Sequence, residues 1–278
     1  MGLTRRLARS ESPKYQRPLR TLAGYAMQRT RRFEHVRIRR RGYVLPFFST
    51  SNVALTFWVV PEMVDRTEEF VRDFLGPGDV FVDVGANVGT LSVLAAGVVG
   101  PAGRVLAVEP HPRTFDLLRR TVDANGATNV TCVDAACGAA PGRATITDHP
   151  RKDDNNNVDP SGEGFPVRTA TLADLLAEHE VERVDLLKID VEGYEAAVLR
   201  GLRGAFDKVA AVHVEVIARN LERYGDSIPA VVSLLQDHGF ACFALPDDPT
   251  NLVALRTTAQ VAAAGHGLTP LPGNPDVP

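Results

Sequence analysis

The run Phe81-Val82-Asp83-Val84-Gly85-Ala86-Asn87-Val88-Gly89-Thr90 constrains the fold of this chain more than any other. The turn signal Gly76-Pro77-Gly78-Asp79 precedes it, so the apolar strand Val80–Val84 has a clean start. That strand hands over through two glycines to a small-residue helix, Thr90–Gly97. A strand that enters a helix across so short a loop implies a crossover connection. Crossovers build parallel sheets with helices on their faces.

The alternation continues downstream. Arg104–Val108 reads as the second strand, Val130–Asp134 as the third, Val184–Asp190 as the fourth and Val209–Val216 as the fifth. Between them lie the helices Pro112–Asn125, with Pro112 near its start and Gly126 as its stop, and Tyr194–Leu202. Ile228–His238, stopped by Gly239, follows the fifth strand. Phe240–Leu245 and Leu252–Arg256 then close the pattern around Pro246-Asp247-Asp248-Pro249. That connection is too short for a crossover, so the last two strands are antiparallel. The reading is an α/β fold: a doubly wound, mostly parallel sheet of seven strands with a C-terminal antiparallel hairpin.

The chain has 278 residues and 44% hydrophobic content, which suits one such domain with a flanking segment. The domain spans 61–257, with an insertion at 138–170 that carries an extra hairpin, Ala144–Thr147 with Phe165–Thr169, around the polar loop 153–157. Pro61–Leu75 reads as a helix with Val64, Phe70, Val71 and Phe74 on its buried face. Residues 1–60 precede the domain as an Arg-rich helical arm (1–42) and a β-rich lead-in. Residues 258–278 read as a loose tail. The lead-in, Tyr43–Val60, is broken by Pro46 and Ser49-Thr50-Ser51-Asn52, so it reads as strands about a turn rather than a membrane span.

Cys132, Cys137 and Cys242 form no CxxC pair and read as buried thiols of a reducing compartment. No HxxH or HxxxH spacing suggests structural zinc. With no apolar signal region, the chain reads as a soluble cytoplasmic protein. Residues 1–46 carry +11 and the remainder −14. Such an arm suits a solvated surface or the acidic body of a second subunit, which leaves a homo-oligomer open. Without interleaved aromatic residues, nucleic acid is not the expected partner.

Ligands of doubly wound sheets bind outside the carboxyl ends of the strands. Gly85 and Gly89 fit a loop whose backbone approaches a ligand, with Ala86 beside them. A dinucleotide fingerprint wants a second glycine where Asn87 stands, which disfavours a dehydrogenase. S-adenosylmethionine carries no phosphate. Asp83 offers an acceptor for its ammonium and the loop amides donors for its carboxylate. Glu109, at the second strand end beside Pro110, suits the ribose hydroxyls. Asp134, at the third beside Ala135, suits the adenine amino group.

On these residues the chain resembles the FkbM family of methyltransferases. The resemblance runs through DVGANVGTLS (83–92), VEPHPRTFDLLRRTVDANG (108–126), NVTCVDAACG (129–138), TLADLL (171–176), VDLLKIDVEGYEAAVLRGL (184–202) and VHVEV (212–216), roughly residues 62–256. It implies a Rossmann-like sheet, S-adenosylmethionine as methyl donor and a hydroxyl acceptor on a sugar, glycan or natural product.

Methyl transfer to oxygen needs a base for the acceptor's proton. The fourth strand ends Lys188-Ile189-Asp190-Val191-Glu192-Gly193, so Asp190, at the cofactor's edge, and Glu192 are candidates. The fifth carries His213 and Glu215, which period-two alternation puts on one face. His213 is the natural base near neutral pH, with Asp190 orienting the acceptor and Glu215 assisting. Asp190, Glu192 and Glu215 are also hard oxygen donors for a divalent metal, a reading ranked below metal-free catalysis. Two other functions compete. One is a nucleic-acid methyltransferase recruited by the arm. The other is a non-catalytic cofactor-binding protein, which the retained acids at every strand end oppose.

Overall fold

The computed structural model describes residues 17–30, 32–149, 156–245, 248–263 and 267–275. The first part of the basic arm, loop residues 153–155 and Pro246-Asp247 lie outside them. Helix α1 (Pro18–Thr30) packs through Gly24 and Met27 and sets Arg20 over the Trp58 ring. The hairpin of β1 (Arg37–Arg39) and β2 (Val44–Pro46) follows. The lead-in then departs from the strands expected of it. Asn52–Val59 is a helix, α2, because the Ser51 side chain accepts from the Ala54 amide and caps it. What read as a turn signal is a helix start.

The helix expected over Pro61–Leu75 is shorter, α3 (Arg66–Phe74), and begins at its Asp65 cap. Val71 is buried on it and Phe70 and Phe74 partly so, whereas Val64 precedes the helix and is exposed. Arg40 ties β1 to this helix. It pairs with Glu68 at 2.7 Å in a buried contact, donates to the carbonyls of Pro61 and Met63, and shares Glu68 with the Tyr43 hydroxyl. Part of the arm's positive charge is therefore spent inside the protein.

From the glycine loop onward the sequence pattern and the elements coincide closely. The chain forms β3 (Val80–Val84), α4 (Thr90–Val99), β4 (Arg104–Val108), α5 (Pro112–Asn125) and β5 (Val130–Val133). The insertion adds β6 (Ala136–Cys137), β7 (Gly142–Ile146) and β8 (Phe165–Ala170). The expected hairpin, β7 with β8, is joined by β6 into a small separate sheet. Then come α6 (Leu172–Glu178), β9 (Leu186–Ile189), α7 (Glu195–Arg200), β10 (Ala211–Glu215), α8 (Ala218–Glu222), α9 (Ile228–Gln236), β11 (Ala241–Leu245), β12 (Asp248–Leu255), α10 (Thr258–Ala263) and β13 (Thr269–Pro270).

The large sheet runs β13-β11-β12-β10-β9-β3-β4-β5. Its five strands from β5 to β10 are parallel, and β12 enters antiparallel between β10 and β11. The seven expected strands are thus joined by an eighth from the tail, where β13 pairs with Phe243 and Ala244. Strand order reverses about β3, so the crevice opens where β3, β4 and β9 end. One cross-strand row reaches from β3 to β12. Asp83, Lys188, His213 and Val253 stand opposite one another on β3, β9, β10 and β12, on one face of the sheet. No helix among the described residues is long and apolar enough to cross a membrane.

Candidate active site

A cavity of about 600 Å³ opens over the carboxyl ends of β3, β4, β9 and β10. One end is lined by Gly85, Ala86, Asn87, Glu109, Pro110 and Ala135, and the other by Lys188, Asp190, Glu192 and Glu215. The insertion contributes Ile146, Asn156, Asn157 and Val158, the lead-in adds Phe57, and the segment before α3 adds Met63 and Val64.

The glycine loop spends its own donors. Gly85 and Ala86 both donate to the Val108 carbonyl, at 2.9 and 3.0 Å, and Gly89 to Ala86 at 2.9 Å. The Asn87 amide reaches Glu109 Oε2 at 3.0 Å, and Val88 reaches the Asn87 side chain at 2.6 Å. No amide from 85 to 89 is left for an anion, so the loop is not the cradle a pyrophosphate needs. The same count corrects the expectation that these amides hold a cofactor carboxylate. Gly85, at φ +82°, has another reason to be glycine: a Cβ there would stand 1.8 Å from the Asp190 carbonyl oxygen. Gly89 does not line the cavity, and a Cβ on it would strike Leu118 at 2.6 Å. Both glycines serve packing of the chain on itself.

Glu109 is held by two amides, from Asn87 and from His111 at 2.9 Å, one on each oxygen. Burial pushes its pKa up to about 7, against the pull of those two hydrogen bonds. Each oxygen keeps a lone pair, and the residue lines the cavity. That suits the paired hydroxyls of a ribose, so the donor set fits a nucleoside without phosphate. Asp83 is placed differently from its expected role. It is 1% exposed, does not line the cavity, accepts from Ser92 at 2.6 Å and faces Lys188 at 3.7 Å. Asp134 is exposed and outside the lining, because β5 ends one residue early and turns it to solvent. Neighbouring Ala135 faces the cavity instead.

At the opposite end Lys188 is the pivot. Its ammonium lies 3.2 Å from Asp190 and 3.3 Å from the Gly85 carbonyl. Burial alone would lower its pKa, but Asp190 and Asp83 outweigh burial and raise it. On the sequence Lys188 reads only as the residue two before Asp190 on the same strand. Its larger role follows from the cross-strand row, which no single strand displays. Glu192 has φ +56°, an unfavoured backbone for a glutamate, and accepts from Asn220 at 2.9 Å. Glu195, which sequence reasoning passed over, holds the 190–193 turn by accepting from the amides of Val191 and Gly193.

Glu215 is pushed up to about 9 by burial and then by Asp190 and Glu192. One oxygen each from Asp190, Glu192 and Glu215 lies within 4.8 Å of the others, a spacing that hard divalent cations also accept. His213 does not join them. It is 1% exposed, lines no part of the cavity, packs on Phe70 with ring centroids 5.0 Å apart, and finds no hydrogen-bond partner for either nitrogen. Burial, and then the Lys188 charge, lower its pKa to about 4. Alternation does place His213 and Glu215 on the same side of β10. But α3 covers that side at His213, and only the strand tip reaches the cavity. His213 therefore cannot reach an acceptor bound there.

The insertion is tied over the cavity at two points. Arg113 on α5 pairs with Asp148, and the Tyr224 hydroxyl donates to the Val158 carbonyl. Asn156 and Asn157 belong to the polar loop the sequence singled out, and they reach the cavity.

The sequence profile described as "Methyltransferase FkbM domain" matches residues 83–242. Hexuronic acid methyltransferase AglP of Haloferax volcanii is 34% identical over 143 residues, which cover 50% of this chain and 56% of that protein. The 31-O-demethyl-FK506 methyltransferase FkbM of Streptomyces tacrolimicus is 31% identical over 205 residues, which cover 62% of this chain and 76% of that one. The crystal structure of methyltransferase FkbM from Methylobacillus flagellatus is similar at a TM-score of 0.43 and 19% identity, covering 72% of this chain and 52% of that chain. This chain thus spans just over half the length of the first relative and about three quarters of the second.

Proposed function

Because this chain belongs to the FkbM family of S-adenosylmethionine-dependent methyltransferases, we propose that it methylates a hydroxyl oxygen of a sugar, glycan or natural product. The observation that carries this reading is the placement of Asp190, Glu192 and Glu215 at the cavity end opposite Glu109. One end suits a ribose, and the other holds carboxylates that can take a proton from an alcohol. The name of the Streptomyces relative, which places its methyl on an oxygen of a natural product, supports the same chemistry.

Bound S-adenosylmethionine supplies an activated methyl group on a sulfonium. Glu109 holds the ribose end, and Ala86, Pro110 and Ala135 line the space beside it. The donor would supply its methyl group to an acceptor oxygen at the Asp190 end and would leave as S-adenosylhomocysteine. The acceptor's proton passes to Asp190, the carboxylate that Lys188 holds at 3.2 Å and that remains partly open to the cavity. Glu215, protonated near neutral pH by its surroundings, donates a hydrogen bond that orients the acceptor. Lys188 keeps Asp190 and the Gly85 carbonyl in fixed relation, so the two ends of the cavity share one strut. The buried His213 takes no proton.

The test is methyl transfer from labelled S-adenosylmethionine to a panel of polyhydroxylated acceptors, with enzyme dialysed against a chelator. Labelled ether products in the chelated enzyme are the expected result. Activity that appears only on adding Mg²⁺ would assign the three carboxylates to a metal. S-adenosylhomocysteine binding with no acceptor turned over would leave only a cofactor-binding protein.

A further inference from the structure

Helix α1 turns an apolar stripe to solvent. Leu19, Leu22, Ala26 and Arg29 follow one another at spacings of three, four and three, which sets them on one face. Leu19 is 81% exposed, Leu22 66% and neighbouring Tyr25 51%. The described residues hold only two other exposed large apolar side chains, Val64 before α3 and Phe165 on β8. The inner face of α1 is fully employed. Gly24 lets it seat on α2, where an added Cβ would stand 2.5 Å from Leu55 Cδ1. Arg20 lies over the Trp58 ring, Gln28 donates to the Ser51 carbonyl at 3.0 Å, and Arg17 pairs with Glu62. The helix is thereby fixed to the domain with its stripe outward.

The charge around the stripe has one sign. Residues 1–33 carry nine Arg or Lys and one acid, Glu11. Arg29 ends the stripe, Arg32 follows it and Arg39 stands on β1. All three are exposed, and none pairs with a carboxylate among the described residues. An anionic bilayer offers both partners for such a face: an apolar boundary for the leucines and tyrosine, and phosphates for the arginines. A second copy of the chain does not. Its body shows only Val64 and Phe165 to match the leucines, and joining two α1 stripes would bring two cationic arms together. We infer that α1 docks this chain on an anionic membrane surface, lying in the headgroup plane rather than crossing it. Phe57 of α2 lines the cavity, so the docked helix and the cavity wall are adjacent layers of one body.

The test is co-sedimentation of the full chain with vesicles of phosphatidylcholine alone, or of two parts phosphatidylcholine to one part phosphatidylglycerol. Binding to the anionic vesicles should be about tenfold or more tighter than to the neutral ones, and should weaken in high salt. Leu19→Ser combined with Leu22→Ser should weaken it by about tenfold or more, because the apolar contact is lost. Arg29→Gln should weaken it about fivefold. These positions are exposed and line no part of the cavity, so S-adenosylhomocysteine affinity should hold in every variant and report that each is folded. No binding to the anionic vesicles would overturn the inference. Binding undiminished by the double leucine change would overturn it too, since charge alone would then explain the attraction. A chain that ignores vesicles, is dimeric by light scattering and becomes monomeric in the double variant would give the stripe to a second copy instead.

Discussion

At the Glu109 end of the cavity every loop amide and both carboxylate oxygens are satisfied by the chain itself. At the Asp190 end three carboxylates crowd within 4.8 Å, Glu192 holds a left-handed backbone, and Glu215 is driven up to about 9. Each end carries a non-glycine residue in the left-handed region, Asn87 at φ +50° and Glu192 at φ +56°, so it is the gathered charge that strains the second end. Folding gains nothing from gathering like charges, so the acceptor end persists for what it does rather than for stability. The difference separates two kinds of variant: those that loosen the nucleoside and those that stop transfer.

The largest effect should come from the strained end. Asp190→Asn should lower turnover by about 10²–10⁴-fold, the usual span of general-base catalysis. S-adenosylhomocysteine affinity should change little, as calorimetry on the same preparation will show. Equal losses in both would mean that the two ends do not divide the work.

Next is Glu109→Ala, which should weaken S-adenosylhomocysteine binding by about 1–3 kcal/mol as charge-assisted hydrogen bonds are lost. In the unmodified protein this affinity should rise as pH climbs through about 7, where Glu109 ionises and becomes the better acceptor. The variant should lose that dependence. A flat profile in the unmodified protein would remove Glu109 from the nucleoside site.

A smaller effect, of opposite sign, belongs to Glu215→Gln. The folded pKa of about 9 lies above the ordinary 4.5, so the folded state holds this proton more tightly. That contribution is full below 4.5 and is lost as pH rises from there toward 9. Removing the charge should therefore raise Tm by about 2–4 °C for each ~1 kcal/mol relieved, increasingly so at alkaline pH, while turnover falls. A lower Tm at pH 9 would show that the cluster is compensated by contacts beyond those described.

The two ends also differ in how far the sequence revealed them. Val80–Val84, Arg104–Val108 and Pro112–Asn125 coincide with the observed elements because strand length, an N-terminal proline and Gly126 are local signals. Glu109 was legible for the same reason, as an acid at a strand end. Asp134 was misplaced by one residue of strand length, which is enough to turn a side chain from cavity to solvent. His213 was misjudged because alternation gives a face but not what covers that face. Phe70, more than a hundred residues away in sequence, decides it. The walls from α2 and the insertion depend on tertiary contacts such as Arg40 over the Phe57 ring and Arg113 with Asp148, which no local pattern displays.

The smallest effect of all is expected at His213, and it tests the account most directly. Its pKa of about 4, below the ordinary 6.5, means that folding favours the neutral ring. That contribution is present above 6.5 and is lost as pH falls from 6.5 toward 4. Near neutral pH the ring is an uncharged filler with two unpaired nitrogens, which leucine can replace at little cost. The decisive measurement is kcat for His213→Leu beside Asp190→Asn, at pH 7.5 with saturating S-adenosylmethionine and one acceptor. Near-normal turnover is expected in His213→Leu and a loss of about 10²–10⁴-fold in Asp190→Asn. A folded His213→Leu protein without activity, beside an active Asp190→Asn, would contradict it.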